Sequence, residues 1–248
     1  MDLTRRQATS LCSVCASVFF GRTGVAQSPG SNGLVHQSDD PFSYVNPEFR
    51  DTLERRAKKA GPEHELNTST LPQFRAMSST FAPPVLPAPI VQEQTIPGAP
   101  GRPQVRVYIV GVTPGASKPA VLYFHGGGYV VGSASSDKRD LQDISTAHDC
   151  VAISVDYRLA PETPFPGSLE DNYAALRWLY TNAKQLGVDT KRIAIKGESA
   201  GGGHAATLAI AARDRGEFPI CLQLLRYAML DDRTSSTQRL PPYLGHFI

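Results

Sequence analysis

From Ile90 onward the chain alternates two kinds of apolar pattern. The short runs Ala120 to Phe124, Cys150 to Val155 and Arg192 to Lys196 have apolar centres without period-two alternation, the pattern of strands buried on both faces. Between such runs, apolar residues return at intervals of three and four. Leu169, Tyr173, Leu176, Tyr180 and Ala183 form one such stripe, which predicts a helix over Leu169 to Leu186 lying on a sheet. The same reading gives helices near Asp137 to His148 and over Ala200 to Arg215, and extended strands over Ile90 to Ile96, Gln104 to Val110 and Ile220 to Met229. A Pro/Gly turn joins the first two strands. Strands separated by helices require crossover connections, so the predicted class is α/β with a mostly parallel sheet.

The upstream part is patterned differently. Asn46-Pro47 is a helix start and Gly61 a stop, with Phe49, Leu53, Ala57 and Ala60 sharing one face between them. A proline-heavy stretch from Leu71 to Pro89 follows as a second short helix and loop. Thr4-Arg5-Arg6-Gln7, the modest apolar core Ala8 to Phe20 and the small residues Gly24-Val25-Ala26 read as a twin-arginine-like export signal over residues 1–26. On that reading the mature chain begins near Gln27 and works outside the cytoplasm, in the periplasm or secreted. Residues 27–89 are then linker and N-terminal helices, and 90–248 the main domain.

Composition narrows the classes of partner. A chain of 248 residues with 41% hydrophobic and 19% charged residues suffices for one globular core, and no run is apolar and long enough to span a membrane. The net charge is +2 with basic residues interleaved among acids, which leaves no nucleic-acid footprint. A small-molecule partner is expected. Cys12 and Cys15 fall in the leader without a second ligand pair, so their spacing does not imply a metal. Cys150 and Cys221 each open a predicted buried strand, where a free cysteine packs as a small apolar residue, and a disulfide between them after export is the alternative.

The candidate chemistry lies at strand ends. Gly197-Glu198-Ser199-Ala200-Gly201 follows the strand Arg192 to Lys196 and opens a helix, the arrangement that lifts a serine hydroxyl above a sheet edge on a cramped turn. His125-Gly126-Gly127-Gly128 follows the strand Ala120 to Phe124, and such a loop aims bare backbone N–H groups at a developing oxyanion. Asp156-Tyr157-Arg158-Leu159-Ala160-Pro161-Glu162 is a third motif, with Phe165-Pro166 beyond it. With these three in this order, from about Tyr44 to the end the chain resembles the hormone-sensitive-lipase-like branch of the α/β-hydrolases, which includes many bacterial carboxylesterases.

The resemblance implies a three-layer α/β-hydrolase sandwich, incomplete at the C-terminus, with the N-terminal helices as a cap. It implies a serine hydrolase of short-chain acyl esters with no cofactor. Ser199 would be the nucleophile, and the N–H groups of Gly127, Gly128 and Ala200 the oxyanion hole. His125 and Gly126 would shape the loop, Gly197 and Gly201 permit the turn, and Glu198 serve as an orienting carboxylate. Asp156 and Arg158 are expected to form a buried ion pair holding their loop.

A serine needs an imidazole oriented by a carboxylate. The family's acid and histidine segments are not found after Ser199, although Asp231 and His246 give the formal order Ser, Asp, His. The expected activity is therefore impaired. A non-catalytic ligand-binding or vestigial protein is the alternative. The strand Ile220 to Met229 is expected to leave an apolar sheet edge open to self-association, and Arg226 and Lys196 stand where apolar residues are expected.

Overall fold

The computed structural model describes residues 45–60, 66–79 and 82–231. The expected leader and linker, as well as His246, lie outside them. The chain divides into two compact units, of which Leu71–Asp231 is one. The described part of the other holds helix α1 (Pro47–Ala60), where the Asn46 side chain accepts from the Glu48 N–H at 3.1 Å as a cap should. Phe49, expected on its apolar face, is exposed.

The larger unit begins with helix α2 (Leu71–Ser79) and continues as β1 (Gln92–Ile96), β2 (Val105–Val110), β3 (Lys118–Phe124), a 3₁₀ turn (Ala134–Asp137), α3 (Lys138–His148), β4 (Val151–Asp156), α4 (Gly167–Thr181), α5 (Ala183–Leu186), β5 (Val188–Glu198), α6 (Ala200–Arg215) and β6 (Leu222–Arg226). The six strands stand in the order β1-β2-β4-β3-β5-β6. Only β2 runs against its neighbours, so the sheet is mostly parallel, as the alternating pattern predicts. The main core joins Ile109, Leu122, Phe124, Ile153, Ile193 and Ile195 of the sheet to Tyr173, Leu176 and Leu179 of α4 and Leu208 of α6.

Several boundaries differ from expectation for local reasons. The helix predicted over Leu169 to Leu186 is two helices, because Asn182 ends the first by directing its side-chain amide at the Trp178 carbonyl, 2.8 Å away. Strand β5 begins earlier than expected, at Val188, where Gly187 in the left-handed region (φ 73°) turns the chain back beside Lys118 of β3. Strand β6 is shorter than expected, and Cys221 is exposed rather than buried, with Leu222 and Leu224 open to solvent beside it. Cys150 is buried, and both cysteines are free.

The expected Asp156–Arg158 pair is not formed. Asp156 instead accepts from Arg106 of β2 at 2.6 Å, from the Ser133 hydroxyl at 3.0 Å and from the Ala134 N–H at 3.0 Å. Burial opposes its charge, but Arg106 and these bonds hold its carboxyl below the ordinary range. Arg158 turns the other way, onto Asp171 of α4, with Nε–Oδ2 and Nη2–Oδ1 both at 2.8 Å. Side chains two apart on one extended segment point to opposite neighbours here because Asp156 still belongs to β4 while Arg158 lies in the loop beyond it.

Asp171 has a side chain only 1% exposed, and it also takes the Arg158 backbone N–H at 3.0 Å. Removing one partner of such a pair strands the other near the interior, at a cost of about 3 kcal/mol. Asp171→Ala is therefore expected to lower the unfolding free energy in urea by about that amount, whereas Arg139→Ala, which breaks an exposed pair on α3, changes it by less than about 0.5 kcal/mol. Equal effects would contradict this assignment.

Candidate active site

Glycine content decides how close two turns come at the carboxyl ends of β3 and β5. Ser199 sits at the end of β5 with φ 53° and ψ −121°, a conformation costly for a side-chain-bearing residue. Around it the backbone is crowded. A Cβ on Gly197 would strike the Gly201 carbonyl, and one on Gly201 the carbonyls of Phe124 and His125, so neither position accepts a side chain without displacement of backbone. The loop after β3 crosses the same spot: an added Cβ on Gly126 would lie 3.5 Å from the Ser199 Cβ. The two sequence motifs are thus brought together.

The Ser199 backbone is held by the end of β6 and the segment after it. Its N–H donates to the Arg226 carbonyl at 3.0 Å, and its carbonyl accepts from the Met229 N–H at 3.0 Å and the Gly203 N–H at 3.1 Å. Ser199 is partly exposed and Ala200 is buried at the start of α6, where the first N–H groups of a helix lack intrahelical acceptors. Gly127 and Gly128 both have positive φ, 127° and 53°. The Gly127 carbonyl accepts from the N–H groups of Val130 and Val131 at 3.0 and 2.9 Å, closing the loop into a tight turn.

His125 lies under this loop. Its Nδ1 is 2.7 Å from the Gly126 carbonyl, which requires the proton on Nδ1, and its ring stacks on Tyr157 with centroids 4.2 Å apart. The Tyr157 hydroxyl donates to the His125 carbonyl at 2.7 Å. Desolvation pushes the His125 imidazole below its ordinary range, against the opposing bond to Gly126. The ring is thus bonded to the loop on one side and stacked on Tyr157 on the other. His204 of α6 packs edge-on against Tyr157 and Tyr129, and its Nε2, like that of His125, is buried without a hydrogen-bond partner.

Glu198 is a hub. Its Oε1 accepts from Lys196 Nζ at 3.0 Å and from Arg226 Nη1 at 2.6 Å, and its Oε2 from the Tyr227 hydroxyl at 2.7 Å. Burial disfavours its charge, yet the Lys196 cation, the Tyr227 bond and Arg226 together hold its carboxyl below the usual range. The two cations unexpected in an apolar sheet are therefore answered by this one carboxylate, and Lys196 also lies 4.0 Å over the Tyr123 ring. Of the candidate acid and base, Asp231 is exposed and His246 is outside the described residues.

Sequence reasoning missed Arg75 of α2. Its Nε donates to the Val130 carbonyl at 2.8 Å, one terminal nitrogen to the Ala160 carbonyl at 3.0 Å, and both terminal nitrogens to the Glu162 carboxylate at 2.7 and 2.8 Å. Held by the Arg75 guanidinium, the Glu162 carboxyl is lowered to about 2. One arginine thus ties the glycine loop to the segment after β4. No local signal marks it, since its partners are more than fifty positions away. Among the described residues, no helix is long and apolar enough to cross a membrane, and no group of three or more metal-ligating side chains is found.

A family model described as the alpha/beta hydrolase fold matches residues 121–245, just over half of the chain. Esterase LipI of Mycobacterium tuberculosis is 44% identical over 145 residues, covering 58% of this chain and 45% of LipI. Among solved structures, the thermophilic carboxylesterase EstE1 from a metagenomic library superposes with a TM-score of 0.60 at 38% identity, covering 67% of this chain and 58% of that one. A bacterial heroin esterase gives a TM-score of 0.65 at 34% identity, with coverage of 72% and 58%. The chain spans about half the length of the curated relatives it matches.

The buried imidazole of His204 has a consequence for acid stability. Desolvation first, and the neighbouring His125 second, lower it to about 3 from an ordinary value of 6.5. Below pH 6.5 the unfolded chain binds a proton that the folded chain refuses, so this group costs about 1.4 kcal/mol of stability per pH unit as the pH falls. The loss ends once the folded pKa is passed. His204→Leu is expected to show a shallower fall in urea-unfolding free energy between pH 6.5 and 4; an unchanged slope would contradict the burial of a neutral ring.

Proposed function

The chain belongs to the α/β-hydrolase fold family, in its hormone-sensitive-lipase-like branch, and from that membership we propose that it is a serine carboxylesterase-type hydrolase of short-chain acyl esters. The observation that carries the reading is the close approach of the glycine loop to Ser199, an added Cβ on Gly126 coming within 3.1 Å of the Glu198 carbonyl and 3.5 Å of the Ser199 Cβ. Ser199 Oγ attacks the ester carbonyl carbon. The carbonyl π electrons move onto oxygen, which receives N–H bonds from Gly127, Gly128 and Ala200. The alkoxide then departs with a proton, leaving an acyl group on Ser199 that water hydrolyses. No step calls for a metal or organic cofactor.

The serine proton is the weak point. Both His125 and His204 are buried with lowered proton affinity, and the Nε2 of each lacks a partner, so neither is an oriented base beside Ser199. Among the described residues neither of these two imidazoles takes that role, and acylation without an oriented base relies on solvent to take the proton. Oxyanion stabilisation and binding alone leave an acceleration of about 10³- to 10⁴-fold over water. The named relatives are esterases and carboxylesterases, which supports an ester as the substrate class.

The 248-residue chain is accordingly expected to hydrolyse p-nitrophenyl acetate and butyrate slowly, and to carry in acid-quenched samples an acetyl group on Ser199 that Ser199→Ala lacks. Absence of that adduct from the parental chain, or its retention in Ser199→Ala, would discard the nucleophile and favour a ligand-binding protein. His246→Ala is expected to leave the slow rate unchanged. Loss of the rate in that variant, together with loss in Asp231→Ala, would instead establish a triad of Ser199, Asp231 and His246.

A further inference from the structure

Three successive residues of the glycine loop have positive φ: Gly127 at 127°, Gly128 at 53° and Tyr129 at 69°. The glycines tolerate this without cost, but a tyrosine does not, and a side-chain-bearing residue keeps such a conformation only when its surroundings over-determine it. Tyr129 is fixed at both ends. Its carbonyl accepts from the Ala160 N–H at 2.9 Å, and its hydroxyl donates to the Met229 carbonyl at 3.1 Å. The ring meets the His204 ring edge-on with centroids 5.0 Å apart.

The hydroxyl passes directly over Gly203 in the first turn of α6, where an added Cβ would collide with it. Met229, which receives that hydroxyl, gives its own N–H to the Ser199 carbonyl at 3.0 Å. A chain of two hydrogen bonds therefore runs from the loop bearing Gly127 and Gly128, through one residue, to the residue bearing the nucleophile. Burial raises the phenol above its ordinary range, which keeps the proton on the donor at neutral pH.

We propose that Tyr129 is a positioning residue, whose hydroxyl, seated over Gly203 and bonded to Met229, sets the distance between the oxyanion-binding N–H groups and Ser199. This rests on the reading of Ser199 as nucleophile. Donors act on a transition state only when their placement is right to a fraction of an ångström, and a misplacement of about 1 Å costs about 10²-fold in rate. Hydrogen bonds to the peptide groups of Met229 supply that tolerance without touching the substrate. The same arrangement explains a glycine at 203, inside a helix where alanine is ordinarily better by about 1 kcal/mol.

The test is phosphonylation of the full chain by a p-nitrophenyl alkylphosphonate. Ser199 Oγ forms a bond to phosphorus, the bond from phosphorus to p-nitrophenolate breaks, and the serine proton passes to buffer, so release of p-nitrophenolate reports the step without a deacylation. Tyr129→Phe keeps the ring and is expected to lower the saturating rate constant about tenfold while leaving the half-saturating concentration and the thermal midpoint unchanged. Gly203→Ala, whose added Cβ would strike both the hydroxyl and the Met229 carbonyl that accepts from it, is expected to lower the same constant, and the double variant to be no slower than Gly203→Ala alone, because that substitution already breaks the link. An unchanged rate in Tyr129→Phe, or an effect confined to the half-saturating concentration, would overturn the proposal, the latter by making Tyr129 a ligand contact. Hydrogen exchange keeps the proposal testable if Ser199 is not phosphonylated at all, a result that would sink the nucleophile reading alone. Peptides spanning Gly126 to Val131 and Gly197 to Gly203 are expected to exchange faster in Tyr129→Phe, and parental exchange rates in both would contradict the link.

Discussion

Ser199 joins β5 to α6 in a strained backbone conformation that only its neighbours can hold. A serine at φ 53° and ψ −121° carries a cost of about 1–3 kcal/mol that surrounding contacts must offset. They do so from three directions. Strand β5 delivers the residue, the N–H of Gly203 takes up its carbonyl from α6, and the segment from Arg226 to Met229 accepts its N–H and donates to its carbonyl. Two glycines are required because backbone, not side chain, fills the space next to them: Gly197 against Gly201, and Gly201 against the end of β3.

This makes β6 more than an edge. Its outer residues Leu222 and Leu224 are open to solvent, so hydrophobic burial contributes little to holding it. Cross-strand register places Arg226 beside Glu198, and their side chains meet at 2.6 Å. Lys196 and Tyr227 converge on the same carboxylate. A charged cluster beside the Ser199 turn thus fastens the strand whose backbone restrains Ser199. A partly buried pair of this kind owes its stability to geometry and to full hydrogen bonding of the carboxylate, both present here.

The order of strands and helices, the parallel sheet and the meeting of the two glycine motifs were legible in the sequence, because each depends on local periodicity or on residues a few positions apart. The stripe of Leu169, Tyr173 and Leu176 is buried as its spacing requires. Ion pairs were not legible. Asp156 and Arg158 are neighbours in sequence but choose Arg106 and Asp171, since the chain leaves β4 between them and their side chains point to different layers. Lys196 and Arg226 read as defects singly, and only the pairing of β5 with β6 shows that they share a counterion. The link through Tyr129 follows the glycine motif directly, yet its acceptor is a backbone carbonyl a hundred positions on, which no side-chain pattern encodes.

Acyl transfer through Ser199, with N–H donors supplied by the glycine loop and the start of α6, is the central proposal. A crystal structure of the chain after reaction with an alkylphosphonate tests it most directly. Phosphorus is expected to be bonded to Ser199 Oγ, with its non-bridging oxygen within hydrogen-bonding distance, about 2.7–3.1 Å, of the N–H groups of Gly127, Gly128 and Ala200. Phosphorus on another residue, or an oxygen turned to solvent away from those three groups, would contradict it.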